Sequence, residues 1–178
     1  MTYFEELKRS MDYLAAQTGT IFLGQAVAVA GTAMSNTLRD VPKAKLFEMP
    51  VAEEMQMGMT CGIALTGMVP VSIFPRWNFL LLAVNQLVNH LDKIGLMSDG
   101  RYKARAIIRT GVGSERPLHP QHQHVGDYTE AFRLMCPHIA IVRLEEPDQI
   151  FPAYRDAFER EDGRSTLLVE YGDYYNEK

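Results

Sequence analysis

Two groups of residues in this chain have the types and spacing to do chemistry. Glu53 and Glu54 stand side by side in FEMPVAEEMQMGMTCGIALTG, just past Pro50 and ahead of a long apolar run. His119, His122 and His124 crowd the Gly- and Pro-containing stretch TGVGSERPLHPQHQHVGDY. Acids in the first turn of a helix are stabilised by its macrodipole, each by up to about 1 kcal/mol, so two glutamates there have a purely structural explanation. The flanks of Glu53 argue for more. Pro50, Val51 and Ala52 precede it and Met55, Met57 and Met59 follow, and an apolar setting raises a carboxyl pKa toward the range useful for proton exchange. A histidine gains and loses protons near neutral pH, which suits the loop to the same work. A metal centre is not expected there, because two of the histidines lie only two residues apart and no carboxylate or cysteine completes a set.

These residues need a scaffold. The runs TIFLG, AKLFEMP, PVSIFP, ARAIIRTG, HIAIVRLEEP and STLLVEYG, bounded by Gly, Pro or charge, read as six strands. Between them the pattern predicts helices over Ala26–Leu38, Glu53–Leu65, Phe79–Ile94, Tyr128–Cys136 and Pro147–Arg160. An amphipathic N-terminal helix carries Phe4, Leu7, Met11 and Leu14 on one face. Near-continuous apolar strands alternating with helices imply a doubly wound α/β domain, its six-stranded and mostly parallel sheet covered on both faces. Ligands of such sheets gather at the carboxyl ends of the strands. Glu53, one loop beyond the second strand, falls on that rim.

Composition sets the outer bounds. With 178 residues, 47% hydrophobic, 22% charged and a net charge of −4, the chain reads as one globular domain with neither a nucleic-acid footprint nor a polybasic membrane patch. The N-terminal segment mixes acids with bases and is no signal peptide, so a cytoplasmic location is expected. Two cysteines, Cys61 and Cys136, both in apolar surroundings, read as buried free thiols.

The segment MPVAEEMQMGMTCGIALTGMVPVSIFPRWNFLLLAVNQLVNHLDK resembles the β subunit of the thiamine-diphosphate-dependent 2-oxoacid dehydrogenases, and more broadly the pyrimidine-binding domain of transketolase. The resemblance continues through LMSDGRYKARAIIRTGVG, TEAFRLMCPHIAIVRLEEPDQI and STLLVEYGDYY and so spans the chain. It implies that Glu53 hydrogen-bonds the N1′ nitrogen of the cofactor's aminopyrimidine, that Phe79 packs on that ring and that Val51 lines the same pocket. Glu54 then reads as a solvated helix-start acid. The resemblance also implies a catalytic loop histidine. Counting from Arg109 without gaps gives His122; counting back from Glu130 makes His124 nearly as good. Three features depart from the family: Pro75 stands where glutamine is common, Gln25 and Ala26 replace two acids after the first strand, and the histidine motif is broken.

The Gly-Asp-Gly motif with its downstream asparagine, which in the family holds magnesium and the diphosphate, does not occur in the sequence. The resemblance therefore implies half a site: a single pyrimidine-binding domain over residues 1–178, without the diphosphate-binding and C-terminal domains. A separate, α-type diphosphate-binding subunit would hold the magnesium, in an α2β2 heterotetramer acting on a 2-oxoacid or ketose donor. A non-catalytic assembly or regulatory subunit is the rival expectation, favoured by the three departures and opposed by the retention of Glu53, Val51 and Phe79.

Overall fold

The computed structural model describes residues 1–29, 31–116 and 119–178. Ala30, within the predicted helix Ala26–Leu38, and Pro117 and Leu118, within the histidine stretch, lie outside the described residues.

Helix α1 (Tyr3–Ala16) begins with a capping box: the Thr2 hydroxyl accepts from the Glu5 N–H at 3.2 Å, and the Glu5 carboxylate accepts from the Thr2 N–H at 2.8 Å. Its buried face carries Tyr3, Leu7, Met11 and Leu14, and Phe4 packs at the edge. The strands are β1 (Thr20–Gly24), β2 (Leu46–Glu48), β3 (Val69–Ile73), β4 (Ile107–Val112), β5 (Ala140–Arg143) and β6 (Thr166–Tyr171). All neighbours pair in parallel, in the order β2-β1-β3-β4-β6-β5, which is the doubly wound sheet expected from the sequence. Because successive strand residues point to opposite faces, Ile107 and Leu168 join a core on the side of α1 and of α7 (Pro147–Glu159). Ile108, Leu167 and Val169 join the opposite core, beneath α3 (Glu53–Leu65) and α6 (Thr129–Met135).

At the centre of the first core lies a fully buried ion pair. Arg109 of β4 meets Glu170 of β6 through two bonds, Nε at 2.7 Å and Nη2 at 3.0 Å. Tyr154 and Tyr175 also donate to Glu170, and Nη1 of Arg109 donates to Thr37. Such a pair is tolerable inside a protein only when its remaining hydrogen-bonding capacity is met, as here.

Two predicted helices need correction. The helix expected over Ala26–Leu38 is reduced to α2 (Ala33–Asn36), preceded by turn and bend structure. Glu48, at the end of β2, takes the backbone N–H groups of Ala26 at 2.6 Å and Ala28 at 2.8 Å, and Ala26 adopts a φ of 54°. Those amides are thereby withdrawn from any helical ladder, and the helix starts only where Thr32 and Ser35 form a capping box. The helix expected over Phe79–Ile94 is a longer, interrupted segment. It opens as α4 (Trp77–Leu80), tightens and loosens through 3₁₀ and π turns, and closes as α5 (Ile94–Met97). Within it Asp92 turns inward to accept from the His138 N–H at 2.8 Å. A C-terminal turn of helix, α8 (Tyr174–Glu177), was not anticipated. No helix among the described residues is long and apolar enough to cross a membrane.

Candidate functional site

The chain reverses its winding between β1 and β3, the central pair from which the sheet is built in both directions, and in such folds that switch opens a crevice at the carboxyl ends. β1 ends there on Gly24, where an added methyl group would lie 2.5 Å from the Ile73 carbonyl oxygen, so only glycine permits this approach of β1 to β3. Gln25 follows at once, and its side-chain amide donates to Oε1 of Glu53 at 2.8 Å. Glu53 opens α3 and is 5% exposed. Its neighbour Glu54 faces solvent.

What holds Glu53 in place is one turn further along α3. Gln56, fully buried, donates to the Ile73 carbonyl at 3.0 Å, to the Ser72 hydroxyl at 3.1 Å and, at 3.4 Å, to the Leu23 carbonyl. One amide thus pins the first turn of α3 to both β1 and β3. Met57, Cys61 and Ala64 seat the rest of that helix in the second core.

Phe79, in α4 beyond β3, is half-buried, and the ring of His124 stacks on it with centroids 5.6 Å apart and planes 20° from parallel. The His124 carbonyl accepts from Nη1 of Arg76 at 3.4 Å, which ties the histidine loop to the entrance of α4. Nδ1 of His124 and Oδ1 of Asn78 are buried and have no hydrogen-bond partner among the described residues. His122 sits in an exposed 3₁₀ turn, Gln121–Gln123, and His119 caps that turn by accepting from the Gln121 N–H at 3.0 Å. The structure therefore brings His124, and not His122, against Phe79. Among the described residues no group of three or more His, Cys, Asp or Glu side chains is placed to hold a metal ion.

Val51 is 78% exposed on the same rim, beside the half-exposed Phe47 and Met55. Cys61 and Cys136 are free and buried, and burial pushes their thiols up to about 11 and about 12 respectively, with Asp92 adding to the effect at Cys136. Three contributors escaped the sequence reading. Gln25 stood out only as a departure, and Gln56 and Arg76 not at all. The helical spacing of Gln56 from Glu53, three residues along the face that must meet the sheet, is the signal that would have found it.

Comparison with known proteins agrees with this fold. Residues 2–175 match the family model for the transketolase pyrimidine-binding domain. A pyruvate dehydrogenase E1 component subunit beta from Gracilaria tenuistipitata var. liui is 27% identical over 180 residues, covering 98% of this chain and 54% of the relative. A 3-methyl-2-oxobutanoate dehydrogenase subunit beta from Mycobacterium tuberculosis (strain CDC 1551 / Oshkosh) is 27% identical over 165 residues, covering 88% of this chain and 45% of the relative. The chain thus spans about half the length of these curated relatives. Among solved structures, one described as a split gene transketolase, inactive beta4 tetramer, superposes with a TM-score of 0.70 at 14% identity, covering 97% of this chain and 52% of that one; at this identity it speaks for the fold. With the parallel sheet, the buried glutamate at its switch and the matched family model in hand, the chain belongs to the pyrimidine-binding domain family of transketolase and its thiamine-diphosphate-dependent relatives.

Proposed function

We propose that this chain is the pyrimidine-binding component of a two-component thiamine-diphosphate enzyme that cleaves or forms a carbon-carbon bond next to a carbonyl. The observation that carries the reading is the state of Glu53: buried at the switch point, with Oε1 held by Gln25 and Oε2 free of any hydrogen bond among the described residues. One carboxylate oxygen is thus fixed in place and the other is open to a ring nitrogen, which is what an aminopyrimidine requires. The unpartnered Nδ1 of His124 and Oδ1 of Asn78, beside and one residue before Phe79, add polar atoms that fit a heteroaromatic ligand with donors of its own.

The cofactor, when bound, supplies the electron sink for cleavage beside the carbonyl. Glu53 would hold or release a proton at a ring nitrogen of that cofactor. Phe79 offers a flat apolar surface to the ring, and Val51, exposed in this chain, would line the pocket once the partner covers it. His124, its ring orientation fixed by stacking on Phe79 and its backbone by Arg76, exchanges a proton with substrate, and His122 is the alternate in that role. In this reading a separate α-type chain holds the magnesium and diphosphate, and the exposed apolar rim of Phe47, Val51 and Met55 suits burial against it. An α2β2 assembly, a 2-oxoacid donor and a cytoplasmic location complete the reading, and the dehydrogenase relatives support the 2-oxoacid over a ketose. In the reconstituted complex, Glu53→Gln should abolish nearly all turnover. Undiminished turnover would overturn the assignment in favour of a subunit that keeps the fold for assembly alone.

A further inference from the structure

Next to the histidine loop, on the carboxyl rim between β3, β4 and β6, lies a cavity of about 300 Å³ whose walls include Met34, Arg76, Gly111, Gly113, Ser114 and Glu170. Its charges are unevenly satisfied. Glu170 is taken up by the two bonds from Arg109 and by the hydroxyls of Tyr154 and Tyr175. Asp173, the other nearby acid, accepts from the backbone N–H groups of Glu115 and Arg116, each at 3.1 Å. Arg76 is left over. It is half-buried, and among the described residues its guanidinium forms no ion pair with a carboxylate and makes one hydrogen bond, the 3.4 Å contact to the His124 carbonyl.

A half-buried guanidinium with most of its donors uncommitted to protein acceptors can take an anion, and its planar fork matches a carboxylate or phosphate. Burial draws Arg76 below its ordinary value, with Asp173 acting weakly in the opposite direction, yet a guanidinium remains charged throughout the physiological range. The hydroxyl of Ser114, on the cavity wall, also makes no hydrogen bond among the described residues. The volume admits a small molecule and excludes a folded partner or a polymer.

We propose that this cavity binds the carboxylate or phosphate group of a small molecule, with Arg76 as its principal ligand and Ser114 as a second donor. The pocket does not depend on the ring-site reading. It adjoins that site through the bond from Arg76 to His124, so an occupant would fix the histidine loop from behind.

The test is amide NMR on the isotope-labelled chain at constant ionic strength, titrated separately with pyruvate, oxalate and inorganic phosphate. The expected result is saturable movement of the Gly111, Gly113 and Ser114 amides, weakened by about tenfold or more in Arg76→Met and less in Arg76→Lys. Ser114→Asp, which sets a carboxylate against Arg76, should remove the response while circular dichroism reports an intact fold. Tighter binding of pyruvate would identify a substrate carboxylate, and tighter binding of phosphate a phosphorylated ligand. Glu53→Gln must leave the titration unchanged, so the ring-site reading and this one fail separately. Equal, non-saturating shifts in the parent chain and in Arg76→Met for all three anions would overturn the proposal.

Discussion

The side-chain amide of Gln25 donates to Glu53 across 2.8 Å, joining the end of the first strand to the start of the third helix at the point where the sheet changes direction. Where family relatives place acids after this strand, a glutamine contributes a donor. That donor fixes one oxygen of Glu53 and leaves the second to the ligand. Gln25→Ala should therefore weaken thiamine diphosphate binding in the assembled enzyme by about tenfold, while thermal stability falls by only about 1 kcal/mol. Gln25→Glu, which sets two carboxylates against each other, should lower activity more than Gln25→Ala. Unchanged binding and activity in both variants would remove Gln25 from the site.

The histidine loop allows a direct comparison of two variants. His124→Ala should reduce turnover of the reconstituted complex roughly 10²-fold or more, the usual scale for losing a positioned proton-transfer group, whereas His122→Ala should change it little. The expectation follows from the stacking of His124 on Phe79 and the exposure of His122. The reverse ranking would mean that the loop rearranges when the partner binds.

Gln56 is the structural support beneath Glu53. Gln56→Leu keeps the volume and removes the three hydrogen bonds to β1 and β3, so a loss of about 1–3 kcal/mol is expected. For a chain of this size that is a fall of about 2–4 °C in Tm per kcal/mol, readable by differential scanning calorimetry. An unchanged Tm would show that apolar packing alone seats α3.

The buried pair of Arg109 and Glu170 predicts a larger effect. Arg109→Met strands Glu170 without its cation and should cost about 3–5 kcal/mol, enough to leave the chain marginally folded. Burial, together with the Glu170 charge, pushes the Tyr154 and Tyr175 hydroxyls well above their ordinary values, so both remain proton donors to Glu170 wherever the fold survives. A double replacement, Arg109→Met with Glu170→Gln, should recover part of the loss. Failure to recover any would place the damage in packing and not in charge.

Acid should act through Asp127. Burial opposes its charge, but hydrogen bonds from the side chain and N–H of Thr129, helped by Arg143, outweigh this and hold the carboxyl below its ordinary 3.8. A group with a lowered folded value stabilises above the unfolded value and loses that contribution as pH falls through the folded one. The stability gap between the parent chain and Asp127→Asn should accordingly be constant above about pH 5 and close as pH drops below about 3.8. A gap independent of pH would contradict this.

The legible part of the molecule is the part governed by apolar burial. The runs around Ile107–Ile108 and Leu167–Val169 announce strands because both sheet faces are covered, whereas of the apolar flanks of Glu53 only Met57 is buried, Val51 and Met55 facing solvent. The illegible part is governed by single polar contacts between segments distant in sequence. Glu48 claims the amides that a helix after Gln25 would have used, and nothing local to residues 26–38 records that competition. Likewise a gap-free count ranks His122 ahead of His124. The ranking by geometry rests instead on a ring stack between residues 79 and 124 and on an arginine that sequence spacing gave no reason to notice.

The central claim is that this chain holds the ring end of thiamine diphosphate through Glu53 and needs a second chain for the rest. The direct measurement is calorimetric titration of thiamine diphosphate with magnesium into the chain alone, into the chain assembled with a diphosphate-binding partner, and into that assembly carrying Glu53→Gln. Saturable binding in the parent assembly, none in the isolated chain and a loss of about tenfold or more in the variant is the predicted result. Equal affinity in the parent and Glu53→Gln assemblies, or full-strength binding by the isolated chain, would contradict it.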